Sequence, residues 1–179
     1  MIFREAKLKG SYIIELERIQ DKRGFFARSW CQKEFEEKGL NSKLVQCNIS
    51  YNMQKGLLRG MHYQSEPHAE AKLVRCTKGA IYDVIVDLRP GSKTYKKWMS
   101  VELTDRNRKM IYIPEGFAHG FQTLSEETEV FYQMSTFYVP ACAKGVRWND
   151  EAFAIQWPEK VSLISKKDQS YPDFKDGNV

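Results

Sequence analysis

Histidine and cysteine are scarce in this chain. There are three histidines, His62, His68 and His119, and four cysteines, Cys31, Cys47, Cys76 and Cys142. No two cysteines form a Cys-x-x-Cys pair, so the sequence implies reduced thiols rather than a zinc knuckle or a disulfide framework. No run approaches the roughly 18 apolar residues of a membrane-crossing helix. Residues 1–10 lack the apolar core of a signal peptide, so a cytoplasmic protein is expected. There is no Gly-x-Gly-x-x-Gly ahead of a helix, and with it goes the signal for a dinucleotide redox cofactor. The chain also has no internal repeat, no low-complexity segment and no Gly/Ser linker, so one domain over residues 1–179 is expected.

Hydrophobic residues make up 42% and charged residues 28%, as in ordinary globular proteins. The formal net charge is +5, with both signs mixed along the chain. The only short basic cluster is Arg106-Asn107-Arg108-Lys109, too little for a nucleic-acid footprint. The excess suits either a solvated surface or a small anion held in a basic cleft.

Short β-rich runs separated by turn residues dominate the pattern. Strands are expected at 12–16, 44–51, 57–63, 73–77, 81–88, 98–103, 110–113 and 129–134. Lys78-Gly79 reads as a hairpin turn between two of them. A helix is expected at 32–38, with Gly39 to stop it, and short helical or irregular structure after Trp157-Pro158. Strands at this spacing, without long helices between them, predict an all-β sandwich or barrel.

Several residues within this pattern can carry chemistry. His62 lies in the strand-like run Leu58-Arg59-Gly60-Met61-His62-Tyr63-Gln64, where it is either a hydrogen-bonded core histidine or a proton-transfer group. Arg59 and His62 fall on opposite faces of a regular strand unless a bulge at Gly60 re-aims one of them. His62, His68, Glu70 and His119 superficially resemble a metal set, but no His-x-His pair places two imidazoles on one strand face, so no metal is expected. Lys72 shares a strand face with Val74 and Cys76. It is either a surface lysine or an inward cation in need of a partner. Gly116-Phe117-Ala118-His119-Gly120 offers tight turns and close backbone approach. Tyr132 and Phe137-Tyr138 read on their own as core aromatics, and Asp168 as a solvated charge.

Taken together, the segments Asp21-Lys22-Arg23-Gly24-Phe25-Phe26, Leu58 to Gln64, Lys72-Leu73-Val74-Arg75, Ile113 to Phe121 and Arg147-Trp148-Asn149-Asp150 resemble the dTDP-4-dehydrorhamnose 3,5-epimerase family, in order and over nearly the whole chain. The resemblance implies a cupin jelly roll (double-stranded β-helix) with short peripheral helices, no metal or other cofactor, and a homodimer that exchanges strands. It implies His62 as general base, Tyr132 as general acid, and Asp168 as the carboxylate that orients the base. Lys72, His119 and Lys167 become substrate contacts. Arg23, Phe26, Gln46, Asn48 and Arg59 fall in the nucleotide and diphosphate region, and Tyr138 becomes the aromatic stacked on the nucleobase. The residue types suit that task. A ketone acidifies its neighbouring C–H bonds, neutral imidazole (pKa about 6.5) accepts a proton and phenol (about 10) donates one. A lysine stabilises the enolate oxygen, and arginines grip a diphosphate.

Three positions depart from the pattern: Arg28 and Ala143 stand where a Glu is common, and Phe137 where a Tyr is common. They bear on nucleotide identity and on whether one or two carbons are inverted. The rival readings are an epimerase acting at C3 or C5 alone or on another nucleoside diphosphate, a 3,4-ketoisomerase, and a non-catalytic sugar-nucleotide binder.

Overall fold

The computed structural model describes residues 1–175. In chain order its elements are β1 (Ile2–Glu5), β2 (Tyr12–Glu15), β3 (Ile19–Asp21), β4 (Gly24–Phe26), α1 (Gln32–Glu37), β5 (Gln46–Asn52), β6 (Leu57–Gln64), β7 (Lys72–Lys78) and β8 (Ala80–Asp87). Then follow β9 (Trp98–Thr104), β10 (Met110–Ile113), β11 (Phe117–Thr123), β12 (Thr128–Met134), β13 (Ala143–Gly145), β14 (Leu163–Ile164) and α2 (Lys166–Gln169). One sheet runs β1-β2-β10-β7-β12-β5. The second runs β13-β6-β11-β8-β9, with β14 parallel to β6. The two sheets face each other as the expected jelly roll.

Alternation explains the layers. The inward residues Val74 and Cys76 of β7, Ile81 and Ile85 of β8, Phe121 of β11 and Val130 of β12 fill the space between the sheets. The outer face of the first sheet is covered by α1, whose Phe35 is fully buried against Phe3 and Tyr112, with ring centroids 5.2 and 5.9 Å away. The C-terminal segment covers the second sheet, where Val146, Phe153 and Ile155 pack on Met61, Val84 and Val86.

One expectation needs correction, and one strand was not anticipated. Lys78-Gly79 is not a hairpin turn: β7 pairs with β10 and β12 while β8 pairs with β9 and β11, so the chain crosses from one sheet to the other there. The strands flanking Gly79 meet face to face through Cys76 and Ile81 in the core instead of pairing edge to edge. In addition, Phe117–Thr123 forms a wholly buried strand that the pattern did not announce, because Gly120 within it and Gly116 just ahead of it read as close approach and turn. Gly116 does hold a turn at φ +79°, and Gly120 does permit close approach. A Cβ on Gly120 would stand 2.7 Å from the Arg59 carbonyl oxygen.

Candidate active site

The sandwich is apolar at one end and opens at the other into a cleft of two adjoining lobes, each about 350 Å³. His62, Lys72 and Tyr132 border both lobes. His62 rises from β6 and Tyr132 from β12, so the base and acid expected from sequence reach one cavity from opposite sheets.

The local fold of β6 makes this possible. On β11, His119 pairs with His62 and Phe121 with Arg59, so Gly60 and Met61 together oppose the single residue Gly120. That extra residue is a β-bulge, and it turns Arg59 and His62 to the same side, where both line the cleft. Only glycine serves at position 60. Its φ is +127°, and a Cβ there would lie 2.6 Å from the Gly120 Cα.

His62 Nε2 lies 2.7 Å from Asp168 Oδ1. The backbone N–H of Gly60 donates to Oδ2 of the same carboxylate at 3.3 Å, so both oxygens are occupied. Burial alone would raise the Asp168 pKa. The bond and charge of His62, the Gly60 N–H and the Ser165 side chain outweigh burial and hold it below the usual carboxylate range. With Asp168 ionised, Nε2–H donates to it, so in the neutral form of the ring the lone pair lies on Nδ1. The ring of Tyr171 packs edge-on against His62, 6.2 Å between centroids. Across the cleft, burial raises the pKa of the Tyr132 phenol, with Arg59 opposing and Glu70 adding to the rise, so Tyr132 stays protonated.

Lys72 points inward, and its Nζ is 2.8 Å from Glu70 Oε1, with both side chains buried. His119 Nε2 lies 2.8 Å from Oδ2 of the fully buried Asp83. Gln46, Asn48, Tyr138 and Lys167 line the lobe away from His119. Gln46 Oε1 accepts from the Tyr138 N–H at 3.1 Å, and Gln64 Oε1 accepts from the Val139 N–H at 2.6 Å, so β5 and β6 pin the segment that presents Tyr138. Arg59 is held through Nε on Asn52 Oδ1 at 2.8 Å. Asp168 is thus a buried partner of His62 rather than a solvated charge.

Arg23 and Phe26 stand apart. They belong to the hairpin β3–β4, every residue of which is exposed, and neither lines the cleft of its own chain. Arg23 instead pairs with Asp21 at 2.6 Å. Among the described residues no three His, Cys, Asp or Glu side chains converge as a metal site requires. Sequence reading did not assign Glu70, Asp83 or Tyr171 to the chemistry. Asp83 had a signal, as a carboxylate in the otherwise apolar run Ile81-Tyr82-Asp83-Val84-Ile85-Val86. Tyr171 had none, because only the fold of the C-terminal segment brings it to His62.

Residues 5–176 match the profile of the family described as dTDP-4-dehydrorhamnose 3,5-epimerase. The chain belongs to the dTDP-4-dehydrorhamnose 3,5-epimerase family. A relative of that name from Shigella flexneri is 45% identical, over 93% of this chain and 92% of the relative. The crystal structure of a dTDP-4-dehydrorhamnose 3,5-epimerase from Elizabethkingia anophelis superposes with a TM-score of 0.96 at 42% identity, covering 100% of this chain and 99% of that one. A dTDP-4-dehydrorhamnose 3-epimerase from Streptomyces niveus is 38% identical, over 94% of this chain and 82% of its own. Within this family the three unusual positions are now located. Arg28 pairs with Glu34 at 2.7 Å and does not line the cleft. Phe137 is exposed, and Ala143 lines the cleft from β13.

Proposed function

We infer that this chain converts dTDP-4-dehydro-6-deoxy-D-glucose to dTDP-4-dehydro-L-rhamnose by moving protons at C3 and C5. The observation that carries the reading is the approach of His62 and Tyr132 to one cavity from opposite sheets. Inversion needs a base on one face of the ring carbon and an acid on the other. In the proposed step His62 Nδ1 takes the proton from the carbon next to the ketone, and the C–H electron pair becomes the enolate. Charge gathers on the ketone oxygen, where the Lys72 ammonium stabilises it. Tyr132 returns a proton to the opposite face, and solvent restores both groups. Arg59 and Lys167 supply positive charge for the diphosphate, and Tyr138 a ring for the base.

Arg23 and Phe26 enter through a homodimer with exchanged strands. Hairpin β3–β4 projects with Phe26 72% and Ile19 70% exposed. The edge strand β5 carries Ile49 and Tyr51, both exposed at the rim of the cleft. Seating one protomer's hairpin on its partner's rim would bury this apolar surface and bring Arg23 and Phe26 to the partner's nucleotide. Among the described residues no helix is long and apolar enough to cross a membrane. The free thiols, one of them exposed at Cys47, favour the reducing cytoplasm as the site of action.

The second reading, inversion at one carbon, has support in the 3-epimerase relative. Turnover of dTDP-4-dehydro-6-deoxyglucose in heavy water, read by NMR, separates the two. Two deuterons per product support the first reading and one supports the second. Binding without any exchange would leave a sugar-nucleotide binder. With Tyr132→Phe, exchange at the first carbon persists while inverted product is lost.

A further inference from the structure

The cleft contains a second histidine–carboxylate pair, and its surroundings differ from those of the first. Asp83 is wholly buried, and its Oδ1 has no hydrogen-bond partner among the described residues. Its other oxygen rests on His119 Nε2 at 2.8 Å. Burial raises the Asp83 pKa; His119 and Lys72 oppose the rise without cancelling it. The groups that face His119 are His62 and Arg59 from β6, Lys72 from β7, Asp83 from β8, Tyr132 from β12 and Tyr51 from β5. The Lys72 ammonium is already matched by the buried Glu70 carboxylate.

The pair therefore has two protonation states to choose between. If it loses its extra proton, a net negative charge rests on the fully buried Asp83 carboxylate, whose Oδ1 has no donor among the described residues, while Lys72 is matched by Glu70 and the Arg59 guanidinium stays exposed at the rim on Asn52, and this is costly. If it keeps the proton, the pair is neutral overall. That proton lies on Asp83 or on Nε2, and in both arrangements the other ring nitrogen, Nδ1, carries a hydrogen. We propose that the Asp83–His119 pair retains this proton through the neutral range, so that His119 donates a hydrogen bond to the ketone oxygen of the bound sugar and Asp83 is its positioning residue. This rests on the epimerase reading for the substrate, but not for the proton.

Two measurements test it. The first is a long-range 1H–15N spectrum of the full chain labelled at histidine, without substrate, from pH 6 to 8.5. The expected result is a protonated Nδ1 on His119 throughout; a bare Nδ1 at pH 7 overturns the proposal. The second compares Asp83→Asn with Asp83→Ala in deuterium exchange into dTDP-4-dehydro-6-deoxyglucose. An asparagine amide N–H imitates the protonated carboxyl, so Asp83→Asn keeps kcat within about fivefold across this range. Asp83→Ala loses about 10- to 100-fold at pH 8 and less at pH 6, with KM changed less than kcat. Equal loss in both variants at every pH overturns the assignment. Should Asp83→Ala fail to fold, the spectrum and Asp83→Asn still decide. If the wild-type chain turns over no substrate, the epimerase reading fails, and the spectrum alone judges the proton.

Discussion

The pairs His62–Asp168 and His119–Asp83 use the same two groups at nearly the same distance, 2.7 and 2.8 Å, on strand neighbours that face each other in register. In both, Nε2 is the nitrogen bound to the carboxylate. What differs is the other carboxylate oxygen. Asp168 Oδ2 receives the Gly60 N–H, whereas Asp83 Oδ1 receives nothing among the described residues. One carboxylate is thereby held ionised below its usual range and the other is pushed above it. The consequence crosses each ring to Nδ1, a lone pair on His62 and, as proposed, an N–H on His119. A motif search for histidine beside aspartate finds both pairs and cannot rank them; the count of donors around each carboxylate does.

The comparison is most easily broken by making the two carboxylates alike. Asp168→Asn removes the charge that fixes Nε2–H, and exchange should fall about 10²- to 10³-fold, while Asp83→Asn changes it little. Rapid-quench deuterium incorporation reads both. Gly60→Ala attacks the bulge that supplies the second donor and aims His62. With φ at +127° and the Gly120 backbone 2.6 Å from a new Cβ, the cost should be about 3 kcal/mol, seen as a lowered urea midpoint. A native midpoint would show that the bulge can carry a side chain.

Stability against pH separates the pairs further. The Asp168 carboxylate has a lowered folded pKa, so its contribution is fully present above the unfolded value, about 3.9, and is lost as pH falls through the folded value. The penalty of Asp168→Asn should shrink on acidification. Asp83 has a raised folded pKa, so ionisation burdens the native state as pH rises from the unfolded value toward the folded one. The penalty of Asp83→Asn should shrink as pH rises instead. Parallel slopes for the two variants would erase the distinction. The smallest effect belongs to Ser165→Ala, which removes one helper of Asp168 and should cost about 1 kcal/mol with a few-fold loss of exchange.

Much of the fold and of the site is legible in the sequence. Alternation places β7, β8 and β12 and sets Lys72, Val74 and Cys76 on one inward face. The regular-strand rule also shows that Arg59 and His62 can share the cleft only through a bulge at Gly60. The strand β11 is hidden because Gly116 and Gly120 mimic turn punctuation, while the need for Gly120 lies in the approach of another strand. Gly79 misleads because a short glycine link looks the same whether it joins neighbours or crosses between sheets. Arg23 and Phe26 rest on resemblance alone, and one chain's fold does not bring them to the cleft.

The most direct test of the account is solvent-proton exchange by the His62→Ala protein, saturated with dTDP-4-dehydro-6-deoxyglucose in heavy water. The account predicts that exchange at C3 and C5 falls at least about 10³-fold, while dTDP binds within about threefold of wild type by calorimetry. Exchange persisting at either carbon within tenfold of the wild-type rate would contradict it.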